Sequence, residues 1–242
     1  MVFGEVGMDH RTDALLRMEL LDLAKVLSGN EKVELDFQHH ASFHAETGRM
    51  SVSQFWEDYD DVDRMIGMKS DVVLHALGAF RFTDRHAVRR FLQAAASFSY
   101  PQLLRQCFAV IEEKRLMARC TKERPGTRKW FARRLVLKQA YMFNRLTIHS
   151  RHKECSDARL LCFYCGIHAE GSELHFSKMV EQLKDEADAS AVEVALKRFR
   201  FMRLPQSTEE AAGNAEMIAN LLSAGLRNDM KSKYFAIDAL WG

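Results

Sequence analysis

A seven-residue string that occurs twice is the feature that most constrains how this chain can fold. The string Ala-Leu-x-x-Phe-Arg-Phe begins at Ala76 and again at Ala195, and a valine lies three residues before it in both copies. Each copy ends a segment whose apolar residues recur with the period of a helix. Internal repeats of this kind are typical of arrays of helical hairpins, in which one hairpin cannot bury its apolar face without its neighbours. With a repeat of about 40 residues, the two copies lie three units apart, and we expect Phe80 and Phe82 to be largely buried at the same relative positions as Phe199 and Phe201.

The composition indicates a helical chain. Only three of the 242 residues are proline, and good helix formers such as Leu, Ala, Lys, Arg and Glu are abundant. Val33, Leu35 and Phe37 alternate with polar residues, but a lone strand has no partner, so we expect extended chain or the lead into a helix there. A capping box that starts at Ser51 predicts a helix from residue 55 onward. The predicted class is all-α, a solenoid-like array of helical hairpins.

A basic loop at 122–127, which contains Pro125 and Gly126, is the clearest place to divide the chain. It predicts an N-terminal helical array at 1–121 and a C-terminal one at 122–242, with one continuous domain as the alternative. No apolar stretch reaches the length of a membrane span, and the first residues resemble neither a secretory signal nor a transit peptide. Five cysteines, an odd number, favour a reducing, intracellular compartment over a disulfide framework.

The segment 114–138 is the strongest electrostatic feature, with ten basic residues and a single acid, Glu123. Cations beside aromatic rings suit single-stranded nucleic acid, because they neutralise phosphates while the rings stack on bases. A solvated helix face, or a patch that docks on an acidic protein, is the alternative. The residues predicted to contact nucleic acid are Lys122, Arg124, Arg128, Lys129, Trp130, Arg133, Arg134 and Lys138. We expect Arg128, Lys129, Arg133 and Arg134 to project into solvent; internal pairing with the acidic residues from Glu57 to Asp63 would mark a structural role.

An acidic group lies near residue 60 and balances the basic segment. It does not fit an EF-hand loop, because the required glycine and the final glutamate are missing. We interpret it as an exposed face that can pair with the basic segment. Its members are Glu57, Asp58, Asp60, Asp61 and Asp63.

Two groups of residues carry potential metal ligands. Cys155, Cys162, Cys165 and His168 are ligand types that zinc accepts, but their spacing matches no standard zinc motif. We favour packed core cysteines and no cofactor, with structural zinc as the alternative.

The second group is His39, His40 and His44. The last two have the spacing of the zinc ligands in HExxH on one face of a helix, but alanine replaces the catalytic glutamate. Without that base the hydrolase interpretation fails. We find no phosphate-binding loop or nucleophile motif, and the sequence predicts a protein that is not an enzyme.

The run from Asp71 to Asp84, followed by Val88, Phe91 and Leu92, resembles the helix-turn-helix units of octotricopeptide-type and pentatricopeptide-type proteins, including the helical arrays that precede RAP domains. The resemblance covers residues 70–115, with a fainter copy at 190–225. It implies helical-repeat architecture and RNA binding in mitochondria or plastids, or a place in an organellar ribosome. It assigns no base-reading residue.

Three functional hypotheses follow. The first is a non-catalytic helical scaffold that binds RNA or belongs to a ribonucleoprotein, with 114–138 as the contact surface. The second is a protein-only adaptor or structural subunit of a large complex, in which the same segment meets an acidic protein surface. The third is a zinc-stabilised regulator built on the cysteine and histidine group.

Overall fold

A computed structural model of the chain describes residues 10–227, except 45, 152–154, 169–177, 179, 182 and 184. Helices dominate this part of the chain, which confirms the mainly helical class. None of the described helices combines the length and apolar character needed to cross a membrane. The helices are α1 (His10–Ser28), α2 (Asp61–Val72), α3 (Phe80–Phe82), α4 (Arg85–Ala95), α5 (Pro101–Glu123), α6 (Arg128–Arg151), α7 (Cys155–His168), α8 (Glu186–Phe201) and α9 (Thr208–Ser223).

A small sheet lies between α1 and α2 in the chain. Its strands are β1 (Glu34–Gln38), β2 (Ser42–His44) and β3 (Arg49–Ser53), in the order β1-β3-β2. The strand β1 runs parallel to β3, whereas β2 runs antiparallel to it. The expectation that residues 33–37 lack a strand partner is therefore wrong. Their partner is β3, which follows β2 through a turn that Gly48 permits, because its φ of 70° is open to glycine.

The start of the next helix also differs from the prediction. Ser51 belongs to β3, so no helix is capped there, and Gln54–Asp58 forms a short 3₁₀ turn instead. The helix α2 begins at Asp61, where the Asp60 carboxylate accepts hydrogen bonds from the first backbone N–H groups. Asp60 is thus the N-cap that the capping-box pattern placed too early.

The helix α2 continues without a break into a π-helix, Val73–Ala79, and ends in the short turn α3. All seven residues of the π-helix are buried. The first copy of the repeated string begins inside this π-helix, whereas the second lies in the regular helix α8. The two copies therefore differ in helix type as well as in surroundings.

The repeated string ends a helix in both copies, at Phe82 and at Phe201. The alanine and leucine that open it are buried in both. The aromatic residues behave differently: Phe199 is buried, but Phe80 is 36% exposed and Phe201 is 89% exposed. The expected shared burial of these rings is therefore wrong, although the shared helix end is confirmed. The solenoid arrangement stays a prediction.

Two hydrophobic cores organise the described residues, and both depend on α5 and α6. The N-terminal core contains α1, the sheet, α2 and the π-helix, together with the end of α5 and the start of α6. The C-terminal core contains α4, α7, α8 and α9, together with the first half of α5 and Met142 of α6. The division at residue 122 stays a prediction. The cores themselves share one helical hairpin, α5–α6, instead of separating at its loop.

The close approach of α2 to Trp56 yields a stability prediction. A Cβ added at Gly67 would overlap the Trp56 indole, which is fully buried. We expect Gly67→Ala to destabilise the fold by about 1–3 kcal/mol, measured by urea denaturation, because a packed ring cannot retreat. Gly213→Ala on α9 is the control, since a Cβ there meets nothing within 4 Å and should stabilise by a few tenths to about 1 kcal/mol. Equal effects of the two changes would contradict this packing.

Candidate functional site

The basic segment follows the α5–α6 hairpin, and the hairpin divides its charges between interior and solvent. Lys122, Arg124, Arg128 and Lys129, around the loop, are exposed. Three further cations are buried. The expectation that Arg134 projects into solvent is therefore wrong, and the contact with nucleic acid predicted for Lys138 conflicts with its buried side chain. The buried cations are Arg115, Arg134 and Lys138.

Arg134 has no solvent exposure and is held on three sides. Its Nη1 forms an ion pair with Asp71 and donates to Ser70 Oγ at 3.0 Å. Its Nε donates to Glu113 Oε1 at 3.2 Å. The guanidinium lies 5.3 Å from the centre of the Trp56 ring, within the range of a cation–π contact. Such a side chain is fixed in place and is not available to a phosphate.

Asp71 is the acceptor around which this network forms. Besides Arg134, its carboxylate accepts the Trp56 Nε1–H at 2.6 Å and the Ser53 backbone N–H at 3.1 Å. Glu113, the other acid that binds Arg134, also attracts Lys138, whose Nζ lies 3.8 Å from Glu113 Oε1. Two acids and two bases thus neutralise one another inside the fold. The network joins β3, the 3₁₀ turn, α2, α5 and α6.

Arg133, the neighbour of Arg134, points outward and meets the acidic group. It binds Asp63 with two hydrogen bonds, of 2.6 Å and 2.5 Å. The guanidinium holds the pKa of the Asp63 carboxyl below its usual range. The expected pairing between the acidic and basic groups is therefore present within the chain for this pair. By the criterion stated above, Arg133 has a structural role, and Arg134 has one because it is buried between Asp71 and Glu113.

A second buried ion pair, Glu112 with Arg115, lies between the end of the first copy of the repeated string and the start of α9, the helix that follows the second copy. The Arg115 guanidinium donates to Glu112 and to the Phe82 carbonyl. Thr83 Oγ1 donates to Glu112 Oε1 at 2.9 Å, and Thr208 Oγ1 lies 3.4 Å from the same oxygen. The start of α4, after the first copy, therefore meets the start of α9, after the second.

A third pair lies in the C-terminal core. Arg159 of α7 donates to Asp188 of α8 at 2.5 Å and to the backbone carbonyls of Leu222 and Ala224 at 2.7 Å. The guanidinium therefore caps the end of α9 while it pairs with α8. Sequence reasoning missed these pairs, although each has a signal: a charged residue stands within an otherwise apolar helix face.

The zinc candidates Cys162, Cys165 and His168 lie on α7 and are buried. Burial raises the pKa of both thiols, as is typical of core cysteines that pack as small apolar residues. The side chain of Cys155 lies outside the described ones. Among the residues that the structure describes, no three or more potential ligands gather. Structural zinc stays a prediction that this geometry does not favour.

The three histidines near residue 40 are not on a helix. His44 belongs to β2, and His39 and His40 precede that strand, so the expected helical face for His40 and His44 is wrong. The backbone carbonyls of His39 and His40 accept hydrogen bonds from Ser53 and Ser51. This segment therefore closes one side of the sheet.

Comparison with known proteins finds one curated relative of unknown role. The chain is 26% identical over 233 residues to "Uncharacterized protein YojO" of Bacillus subtilis (strain 168). The match covers 96% of this chain and 36% of that protein, so the chain spans about a third of its relative's length. No family model and no solved structure matches.

The Arg134 network predicts a large difference between two adjacent arginines. We expect Arg134→Met to lower the free energy of unfolding by about 3–5 kcal/mol, because Asp71 and Glu113 lose a buried counter-charge. Arg133→Met is the matched control and should cost clearly less, since Arg133 is half exposed although its partner Asp63 is largely buried. Urea denaturation measures both. Similar losses for the two variants would contradict the assigned network.

His168 predicts a dependence of stability on pH. Burial, with Lys114, Lys138 and Arg134 nearby, holds the pKa of its imidazole well below the ordinary value of 6.5. Below that pH the unfolded chain binds a proton that the folded chain excludes, so stability falls as pH falls. The loss from this residue is up to about 1.4 kcal/mol per pH unit.

His168→Gln should remove that part of the decline, measured by urea denaturation between about pH 7.5 and pH 5. His86→Gln, at an exposed position on α4, is the control and should leave the decline unchanged. A pH profile that is identical in wild type and His168→Gln would argue against a buried neutral imidazole.

Proposed function

We propose that this chain is a non-catalytic helical scaffold module that binds other proteins within a larger assembly. The observation that carries this proposal is the internal neutralisation of the basic segment. Arg115, Arg134 and Lys138 are buried beside acids, and Arg133 binds Asp63. Basic side chains that pair with acids inside the fold do not neutralise RNA phosphates, so they release no counterions when RNA binds. The adaptor hypothesis therefore ranks above the RNA hypothesis.

The relation to the longer relative gives further support. Nearly the whole of this chain matches about a third of YojO, which is what a module of a larger protein or complex produces. The two cores share the α5–α6 hairpin, so the described residues form a connected platform. A connected helical platform of this kind fits an adaptor.

The proposal is tested by recovering the tagged chain from its native source with and without ribonuclease. We expect defined protein partners to be retained at about 0.15 M salt and to be unaffected by the nuclease, because a direct contact between proteins does not depend on RNA. Each partner is then re-tested as purified protein. Partners that disappear with ribonuclease, or the absence of any saturable partner, would count against the scaffold.

RNA binding is kept as a second candidate because part of the basic segment remains available. Lys122, Arg124, Arg128 and Lys129 are exposed around one loop. The acid in this region, Glu123, forms an ion pair with Arg81 at 2.5 Å and so does not neutralise them. Four cations within eight residues form a compact site for phosphates.

A charge-reversal experiment separates this candidate from the scaffold. If RNA binds, changing all four exposed cations to Glu should reduce affinity for a single-stranded RNA by more than about 100-fold, and each single change should lower the salt slope by about one unit. The control reverses four dispersed exposed cations: Lys32, Arg89, Arg105 and Arg227. Equal affinity of both variants, or no binding by the wild type, would dismiss the RNA candidate.

A further inference from the structure

One face of α8 turns away from the C-terminal core and carries apolar side chains in solvent. Val194 is 47% exposed and Phe201 is 89% exposed. They share a helical face with the exposed residues Ala187, Ser190 and Lys197, at steps of three or four. At 1.5 Å per residue this stripe is about 21 Å long. Its length and its small residues leave room for a second helix along it.

The neighbouring helix α9 widens the surface. Met217 of α9 is 36% exposed, and its Sδ lies 2.9 Å from Arg198 Nε of α8. The methionine therefore lies beside the α8 stripe and adds a flexible apolar side chain to it. Methionine-containing surfaces adapt readily to partner helices. We call the stripe with Met217 the α8–α9 face.

The first copy of the repeated string shows which contacts the aromatic rings of this string can make. Phe82, its equivalent, has the Arg119 guanidinium 5.8 Å from its ring centre. Phe80 packs edge-on against Phe43 of β2, with ring centres 5.3 Å apart. In the first copy the sheet and α5 thus provide contacts for the two rings. Among the described residues, no ring or guanidinium contact of this kind is found for Phe201.

The charges on the α8–α9 face select the kind of partner. Four exposed cations lie at the end of α8 and just after it, around Phe201, whereas the described part of α8 places its exposed acids, Glu186 and Glu193, nearer its start. A partner with carboxylates beside its apolar residues would neutralise these cations. The cations are Lys197, Arg198, Arg200 and Arg203.

We propose that the α8–α9 face binds an acidic amphipathic helix of a partner protein. Apolar residues at i, i+3 or i+4 and i+7 of that helix would lie on Val194, Phe201 and Met217, and its flanking Asp or Glu would pair with Lys197 and Arg198. The face is less suited to an anionic membrane, because its large exposed apolar side chains among the described residues are only Val194, Phe201 and Met217, and binding to a lipid interface scales with the apolar area that is buried. This inference rests on the proposed scaffold function and names its partner chemistry.

The test uses a fluorescent 18-residue helical peptide built from Leu, Ala and Glu, with Leu on one face. A matched peptide replaces each Glu with Lys. We expect saturable binding of the acidic peptide to the full chain by fluorescence anisotropy, and binding at least tenfold weaker for the basic peptide. Phe201→Ala, and separately Lys197→Glu with Arg198→Glu, should each weaken the acidic peptide at least tenfold.

Controls make the outcome specific to this face. Val26→Ala alters a residue that is 75% exposed on α1 and should leave the affinity unchanged. Circular dichroism and denaturation midpoints verify that each variant folds. We expect Phe201→Ala to fold normally, because the Phe201 ring is almost fully exposed. Equal affinity for both peptides, or no effect of Phe201→Ala, overturns the proposal.

Two further outcomes also overturn it by assigning the face to another occupant. One is binding of phosphatidylserine vesicles that Phe201→Ala abolishes while the acidic peptide fails to bind. The other is self-association that Phe201→Ala abolishes, measured by analytical ultracentrifugation. If the peptide fails while ribonuclease-resistant protein partners are still retained, the scaffold function stands and only this surface is wrong.

Discussion

The buried ion pair between Arg134 and Asp71 is the interaction on which the N-terminal half depends. Five elements meet at it, because Asp71 also accepts hydrogen bonds from Trp56 and Ser53, and Arg134 also binds Glu113. Each charge is costly to bury alone, so these groups are stable inside only as a complete set. The position of α6 against α2 is therefore fixed by chemistry that an apolar contact would not specify.

The same arrangement recurs at two other places in the molecule. Arg115 and Arg159 are each buried beside one carboxylate; Arg115 also donates to one backbone carbonyl, and Arg159 to two, at the end of a helical segment. A guanidinium suits this task because its planar fork offers five donors. We interpret the three arginines as fixing the register of helices whose apolar faces alone would tolerate sliding. Basic residues that suggest an exposed patch in the sequence, such as Arg115 and Arg134, therefore lie in the interior.

The sequence predicts the local features well and the long-range ones poorly. The N-cap at Asp84, the proline in the first turn of α5 and the apolar face of α4 can each be recognised in the sequence, because each depends on neighbours within one or two turns. The sheet was missed because β1 pairs with a strand beyond β2, which no local period encodes. Arg133 and Arg134 are identical and adjacent in sequence, yet one faces solvent and the other the core. Only the docking of α6 on α2 and α5 distinguishes them.

The π-helix at Val73–Ala79 changes the directions in which the next residues of the same helix, 80–82, point. Each residue of an α-helix advances the side chains by about 100° around the axis. A π-helical turn contains about one residue more, so the faces of residues 80–82 are rotated relative to an uninterrupted α-helix. That rotation directs the Phe82 carbonyl toward Arg115 and Phe80 toward Phe43. The seven residues of the π-helix thus set the rotation of residues 80–82 about the helix axis. As a result, the end of the helix that starts at Asp61 meets the guanidinium of Arg115 on α5.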